Sequence, residues 1–350
     1  MLVDSHDSPL EQRAENAPAP PTRRAIRGLG LLASVVILVL VALASIAIGA
    51  KELSLEQVWH GLFQDTGTYG DVVVDERLSR TVLGLLAGAA LGLSGAVLQA
   101  LTRNPLADPG LLGINAGASA AVVTAITYFG VTSLTGYVWF AFLGAAAVGA
   151  LVWFLGGSRG ATPVRLALAG TAISAALYGY LQAVMITDDA ALGRMRFWTV
   201  GSLASATGST IWQVLPFLAA GTLLALGLAR PLNAVAMGDD TAKALGADLN
   251  RTRALSMLAA TVLSGAATAA CGPIAFVGLM VPHAVRSFTG PDLRWILPYA
   301  TVLSPVLLLG ADVIGRVVAR PSELQVGIIT ALIGGPVFIF LVRRRRTAQL

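Results

Sequence analysis

Long apolar runs alternate with short polar breaks along most of the chain, and the runs set its architecture. Runs near 30–49, 79–101, 110–130, 136–156, 164–187, 209–229, 254–271, 274–290, 295–315 and 324–342 approach the roughly 20 residues a helix needs to cross a bilayer. They predict an all-α, polytopic membrane protein with about ten spans. The run at 274–290 is the least continuous, because Pro282, His283 and Arg286 interrupt it. Residues 51–80 are amphipathic and polar, with Trp59 and Tyr69 placed as interface anchors. The stretch 188–208 is too polar to cross and is expected to fold back at the outer surface. Residues 1–28, with Pro18, Pro20 and Pro21 and few large apolar side chains, read as a disordered tail. The run behind them is too long for a signal peptide and carries no cleavage pattern. The chain thus divides into this tail, a membrane domain over 29–342, and a basic tail over 343–350.

Between two of the apolar runs lies a polar island, Arg230 to Arg253. Its middle, about 237–247, predicts one short helix. Asp239 and Asp240 suit the N-terminus, where carboxylates meet free N–H groups and the positive end of the dipole. Gly246 suits the stop, because glycine takes the left-handed conformation without steric cost. Ala242, Ala244 and Leu245 offer a small apolar surface between them. Two turns of helix do not hold in water alone, so the element needs a surface to rest on. A contact for another protein and an ordinary loop with local helical order both fit this stretch by itself.

Composition agrees with the runs: 55% of residues are apolar and 12% charged, about half the usual globular share of charge. The net charge of +5 sits in clusters beside the apolar runs, so it orients spans rather than binding nucleic acid. With ten spans and the N-terminus inside, Arg13, Arg23, Arg24, Arg27, Arg103, Arg159, Arg165, Arg230, Lys243, Arg251, Arg253, Arg286, Arg294 and Arg343 to Arg346 fall on the cytoplasmic side. Only Lys51, Arg77, Arg80, Arg194, Arg196, Arg316 and Arg320 fall outside, so both termini are predicted cytoplasmic. Cys271 is a single cysteine in a small-residue setting and reads as a buried packing residue. His6, His60 and His283 are far apart in sequence, with no cysteine or carboxylate at ligand spacing, and no metal site is expected.

Gly84, Gly88 and Gly92 recur every four residues with Gly95 behind them, and Gly113 and Gly117 repeat the interval. Such stripes let helix backbones approach where lipid supplies no hydrophobic drive. A weak repeat joins Ser94-Gly95-Ala96, Pro105 and Gly110 to Ser264-Gly265-Ala266, Pro273 and Gly278. Five spans separate the copies, so they face opposite ways, an arrangement used by transporters with broken helices. Pro105, Pro109, Pro273 and Pro282 would supply the breaks.

Three chemistries can be tested against the residues present. Gly92-Leu93-Ser94-Gly95 matches the GxSG of intramembrane serine proteases, with His283 on another span. No further polar residues gather for an oxyanion hole, so a helix-packing serine is the better reading and no catalytic residue is expected. An ion-coupled carrier would keep ionisable groups within its bundle, yet Asp312 is the only mid-span candidate carboxylate, near the outer end. No Walker A loop is present, so this chain is not expected to bind nucleotide. A path nearly empty of charge takes its driving force from elsewhere.

Several stretches together resemble one family. They are Arg77-Leu78-Ser79-Arg80, the run Gln99 to Gly117 with Asn104, Pro105, Pro109 and Gly110, and Phe197 to Leu203. Met237 to Gly246, Gly272 to Leu279 with Pro282 and His283, Ala311-Asp312, and Glu323 to Gly327 complete the set. This pattern is similar to the FecCD family, permease subunits of type II ABC importers for iron-siderophores, haem and cobalamin. The first motif carries serine where the family has proline. The resemblance implies a permease of two copies, or of one copy and a sister subunit, in a bacterial plasma membrane. It implies a cytoplasmic ATPase pair, which binds ATP and Mg, contacting Asp239, Asp240, Thr241, Ala242, Lys243, Ala244, Leu245 and Gly246. It also implies an extracytoplasmic binding protein docking on Arg77, Arg80 and Arg316, with Arg320 as an extra. Gln325, where cobalamin-type members often have proline, and the Asp108-Pro109-Gly110 form favour a ferric siderophore over haem or cobalamin as cargo.

Overall fold

A computed structural model describes residues 23–64, 67–131, 133–157 and 163–347. It is built from helices: α1 (Arg23–Ala47), α2 (Leu55–Phe63), α3 (Tyr69–Thr102), a 3-10 turn (Pro109–Leu112), α4 (Ile114–Phe129), α5 (Leu134–Gly157) and α6 (Pro163–Thr187). Then follow α7 (Asp189–Trp198), α8 (Gly208–Gly227), α9 (Ala229–Ala236), α10 (Asp239–Ala244), α11 (Leu249–Cys271), α12 (Val277–Thr289), α13 (Leu293–Val318) and α14 (Val326–Thr347). Seven helices are long and apolar enough to cross a bilayer, and α4 and the segment Val326–Phe340 are shorter apolar helices. With α12, the shortest of the set at 13 residues, these occupy the ten predicted runs.

Several boundaries moved. Helix α1 begins at Arg23, inside the predicted tail; residues 1–22 and 348–350 lie outside the described residues. Helix α3 begins at Tyr69, ten residues before the expected span, after Asp71 accepts a hydrogen bond from the Thr68 N–H. Its 34 residues span about 51 Å, more than the roughly 30 Å hydrocarbon layer, so its first turns project beyond an apolar slab. The segment 188–208 does fold back: Asp188 caps α7 through the Ala190 and Ala191 N–H groups, and Ala191 and Met195 are buried.

Helix α3 is the centre of the fold, and most of its residues from Leu83 to Leu101 are buried. Its glycine stripe meets α13 and α12. A Cβ on Gly88 would lie 2.6 Å from Pro305 Cα, and one on Gly95 would overlap the Gly278 carbonyl. The stripe is therefore contact surface, as its spacing predicts.

Two of the expected helix breaks occur and one does not. Chain direction changes at 103–108, where Arg103 is left-handed (φ 50°), and at 272–276, where Phe276 is left-handed (φ 69°). Pro282, by contrast, lies inside α12. Proline there removes the N–H that would reach the Gly278 carbonyl four residues back. The Gln99 side chain replaces it: Nε2 donates to the Gly278 carbonyl at 3.2 Å and to that of Leu279 at 3.1 Å. Gln99 is 1% exposed. Replacing it with leucine leaves a buried carbonyl unpaired and is expected to cost about 1–3 kcal/mol. Thermal unfolding of Gln99→Leu in detergent checks this; an unchanged midpoint would show the α12 break is patched another way.

Candidate functional site

Polar side chains gather at two places. One is the predicted short helix. It spans six residues rather than about 237–247, with Gly238 and Leu245 as its caps, and the flanking Arg230 belongs to α9 and Arg251 and Arg253 to the first turns of α11. Its C-terminus closes as the sequence predicts. Gly246 is left-handed (φ 78°), the Gly246 N–H donates to the Lys243 carbonyl at 2.9 Å, and the Ala247 N–H to that of Ala242 at 2.9 Å. This is a Schellman closure, and a Cβ on Gly246 would meet nothing within 4 Å. The N-terminus differs. No side chain caps it, and Gly238 takes the N-cap position. Asp239 turns instead to two arginines: Oδ1 accepts from Arg103 Nη2 at 2.6 Å and Oδ2 from Arg253 Nη2 at 2.7 Å. The Arg253 hydrogen bond and both cationic neighbours hold its carboxyl below the usual range, against the opposing effect of burial.

The surface of α10 is divided accordingly. Ala242 is fully buried on Val235 and Leu249, so it cannot touch a partner as expected from sequence. Asp240, Thr241, Lys243, Ala244, Leu245 and Gly246 are exposed, with Met237 just ahead of the helix. Helix α9, which leads into α10, is fixed to α13. Asn233 Nδ2 donates to Asp292 Oδ1 at 2.7 Å, and the Leu293 N–H donates to Asn233 Oδ1 at 2.9 Å. Arg294 holds the Asp292 carboxyl down, at about 2.

The second gathering contains the four arginines assigned to docking. Arg77, Arg80 and Arg316 are not an open rim: they are 6%, 8% and 1% exposed. The C-terminal carbonyls of α1, which have no partners within the helix, draw them in. Arg77 donates to the Ile46, Ala47 and Lys51 carbonyls, Arg316 to that of Ser45 at 2.9 Å, and Arg320 to that of Gly49 at 2.8 Å. These cations also sit at the negative end of the α1 dipole. Arg80 binds carboxylates instead, Asp312 Oδ1 through Nη2 at 2.7 Å and Glu323 Oε2 through Nη1 at 2.6 Å. Arg316 Nε lies 3.1 Å from Asp312 Oδ2, an ion contact too poorly aligned to be a hydrogen bond. Arg320 alone reaches the surface, paired with the exposed Glu52 at 2.8 Å.

The break residues separate into roles. Asn104 Oδ1 accepts from the Leu106 N–H and Asp108 Oδ1 from the Gly110 N–H, which turns the chain through Pro105 into the 3-10 turn opened by Pro109. Near Pro273 three distant motifs meet. The Ser202 N–H donates to the Cys271 carbonyl at 2.7 Å, and the Gly327 N–H to that of Gly201 at 3.2 Å. A cavity of about 530 Å³ opens beside this knot, lined by Tyr137, Arg194, Trp198, Thr210, Cys271 and Gln325. Cys271 is buried and its Sγ donates to the Ala267 carbonyl. Ser94 is buried with its hydroxyl donated to the Leu91 carbonyl at 3.0 Å, a helix-packing arrangement. His283 is half-buried on α12. Among the described residues no cluster of three or more potential metal ligands occurs. The contacts of Arg103, Gln99, Ser45 and Glu323 carry no local sequence signal, because their partners are remote along the chain, and Arg253 reads only as a flanking charge.

A bundle of membrane-length helices, with an exposed short helix joined to its central members, defines a polytopic transport permease. Residues 37–344 match the FecCD transport family, and the chain belongs to it. It is 48% identical over 327 residues to the ferric enterobactin transport system permease protein FepD of Escherichia coli (strain K12), covering 92% of this chain and 96% of that one. It is 40% identical over 320 residues to the iron(3+)-hydroxamate import system permease protein FhuB of Bacillus subtilis (strain 168), covering 90% and 83%. A solved metal-chelate type ABC transporter in an inward-facing conformation is similar over 90% of this chain and 98% of its own, with a TM-score of 0.80 at 29% identity.

Proposed function

We propose that this chain is the membrane permease of an ATP-driven importer that carries an iron(III)-siderophore complex across a bacterial plasma membrane. The observation that carries the reading is α10: a six-residue helix, closed by Gly246, exposing Thr241, Lys243 and Leu245 while Asp239 fastens it to α3 and α11. Such an element suits a partner that pushes from the cytoplasmic side. That partner would be an ATPase pair holding ATP and Mg, which this chain does not bind. Both termini lie in the cytoplasm in this reading, as the positive charge distribution favours. The ferric cargo follows the relatives' names and the polar Gln325 beside the 530 Å³ cavity.

A second permease copy, or a sister subunit, covers α6. Its exposed side carries Thr171, Ala172, Ala176, Gly179, Gln182 and Ala183, small and polar residues suited to close helix contact, beside the larger Val164, Leu168, Tyr178 and Ile186. Helix α1 exposes Leu29, Leu32, Val36, Leu40 and Leu43, the large aliphatic surface that lipid requires. An extracytoplasmic binding protein docks at the arginine end. Since Arg77, Arg80 and Arg316 are internally engaged, Arg320 is the one of these four arginines whose charge reaches the surface. Arg320→Glu is expected to weaken binding-protein affinity several-fold at low salt, with the difference shrinking as salt rises. Titration at two ionic strengths checks this, and salt-independent, wild-type affinity would remove Arg320 from the interface.

Uptake of radiolabelled ferric enterobactin in a strain lacking its own permease tests the whole reading. Import that depends on a co-expressed ATPase and binding protein supports it. Accumulation by the purified chain alone in liposomes under an ion gradient would refute it.

A further inference from the structure

Resting on the reading of α10 as the ATPase contact, we propose that Asp239 is a positioning residue. It does not face the partner but transmits displacement of α10 into α3 and α11 together. Helix α10 has only one buried side chain of its own, Ala242. One methyl group against Val235 and Leu249 is a slippery support for a moving part. The directional contacts are the two charge-assisted hydrogen bonds of Asp239, one carboxylate oxygen to each arginine, at 2.6 and 2.7 Å.

The two arginines sit where a push has the most effect. Arg103 is the left-handed residue that ends α3, immediately before the break at 103–108. Arg253 lies in the opening turns of α11, the long helix that ends at the break at 272–276. The carboxylate therefore joins the near ends of the two long helices that lead into the broken segments. Solvent governs the strength of this joint. The Asp239 and Arg103 side chains are 37% and 38% exposed, whereas that of Arg253 is 11% exposed. In the free permease water screens the Arg103 bond. A partner seated on α10 excludes that water, and the same bond tightens in the lower dielectric. The joint is thus stiffest in the assembled complex, where force must pass through it.

The test uses the permease reconstituted with its ATPase and binding protein, reading ATPase co-purification and ferric enterobactin imported per ATP hydrolysed. The Asp239 and Arg103 side chains are over a third exposed, where an ion pair adds little to stability, and asparagine keeps an oxygen to accept from Arg253, so Asp239→Asn is expected to fold and to retain the ATPase. Its import per ATP should fall roughly 5- to 20-fold. Arg103→Gln should lose the same step, and the double variant should be no worse than the weaker single, as expected for one shared interaction. Asp239→Glu, which keeps the charge, should recover part of the ratio. Wild-type import per ATP in Asp239→Asn, losses that multiply in the double variant, or loss of ATPase co-purification would each overturn the link. Leu245→Asp separates the two claims. If it leaves co-purification intact, α10 is not the ATPase contact; if it abolishes co-purification while Asp239→Asn couples normally, only the link fails.

Discussion

Asp312→Ala is expected to destabilise the permease by about 3–5 kcal/mol, the range for removing one partner from a buried ion pair. Asp312 is fully buried and receives Arg80 at 2.7 Å, with Arg316 at 3.1 Å on its other oxygen. Without it, Arg316 keeps the Ser45 carbonyl and hydroxyl, and Arg80 keeps Glu323. Neither can escape to water, because both are under a tenth exposed. Glu323 has a side chain 34% exposed, so Glu323→Gln should cost about 1 kcal/mol or less. Thermal unfolding in detergent, followed by loss of the monodisperse peak, separates the two. Equal midpoints for Asp312→Ala and wild type would mean that Glu323 and the Ser45 carbonyl and hydroxyl hold Arg80 and Arg316 without it. The same geometry bears on energy coupling: a mid-span carboxylate already shared between two guanidinium groups is a poor site for a transported proton or sodium ion.

These partners explain where the sequence could and could not be read. The apolar runs were legible because each lipid-facing or core helix must be apolar along its own length. The span in α3 is expected to start only at 79, because a hydropathy window registers the charges from Asp71 to Arg80 as exposure. The compensating carboxylate, Asp312, is 232 residues away. Pro282 reads as a helix break for the same reason: the amide that replaces its missing N–H comes from Gln99, 179 residues before the Gly278 carbonyl it meets. Asp239 read as a local cap, and two arginines from other elements outcompeted that role. The arginines of the Arg77-Leu78-Ser79-Arg80 motif read as an open docking rim, whereas the structure buries both. Nothing local tells a guanidinium that meets solvent from one that closes a neighbouring helix. Local rules worked where the cause was local, and Gly246 is the clearest case.

Gly246→Val is expected to abolish most import while leaving membrane insertion and the bundle intact. At φ 78° an L-residue costs about 1–2 kcal/mol, and a β-branched side chain fares worse than most. Helix α10 has no reserve against this strain, since six residues cannot sustain a helix alone. The loss therefore falls on the Schellman closure, on the Gly246–Lys243 and Ala247–Ala242 hydrogen bonds, and on the presentation of Lys243 and Leu245. A Cβ at this position meets no atom of this chain within 4 Å, so a defect is expected to come from backbone strain or from collision with the ATPase. Gly246→Asn distinguishes these. Asparagine has nearly the bulk of valine but tolerates the left-handed region. Import by the asparagine variant well above the valine variant identifies the cap as the cause. Equal loss in both would place the partner's surface against residue 246, and wild-type import in both would remove α10 from the coupling path.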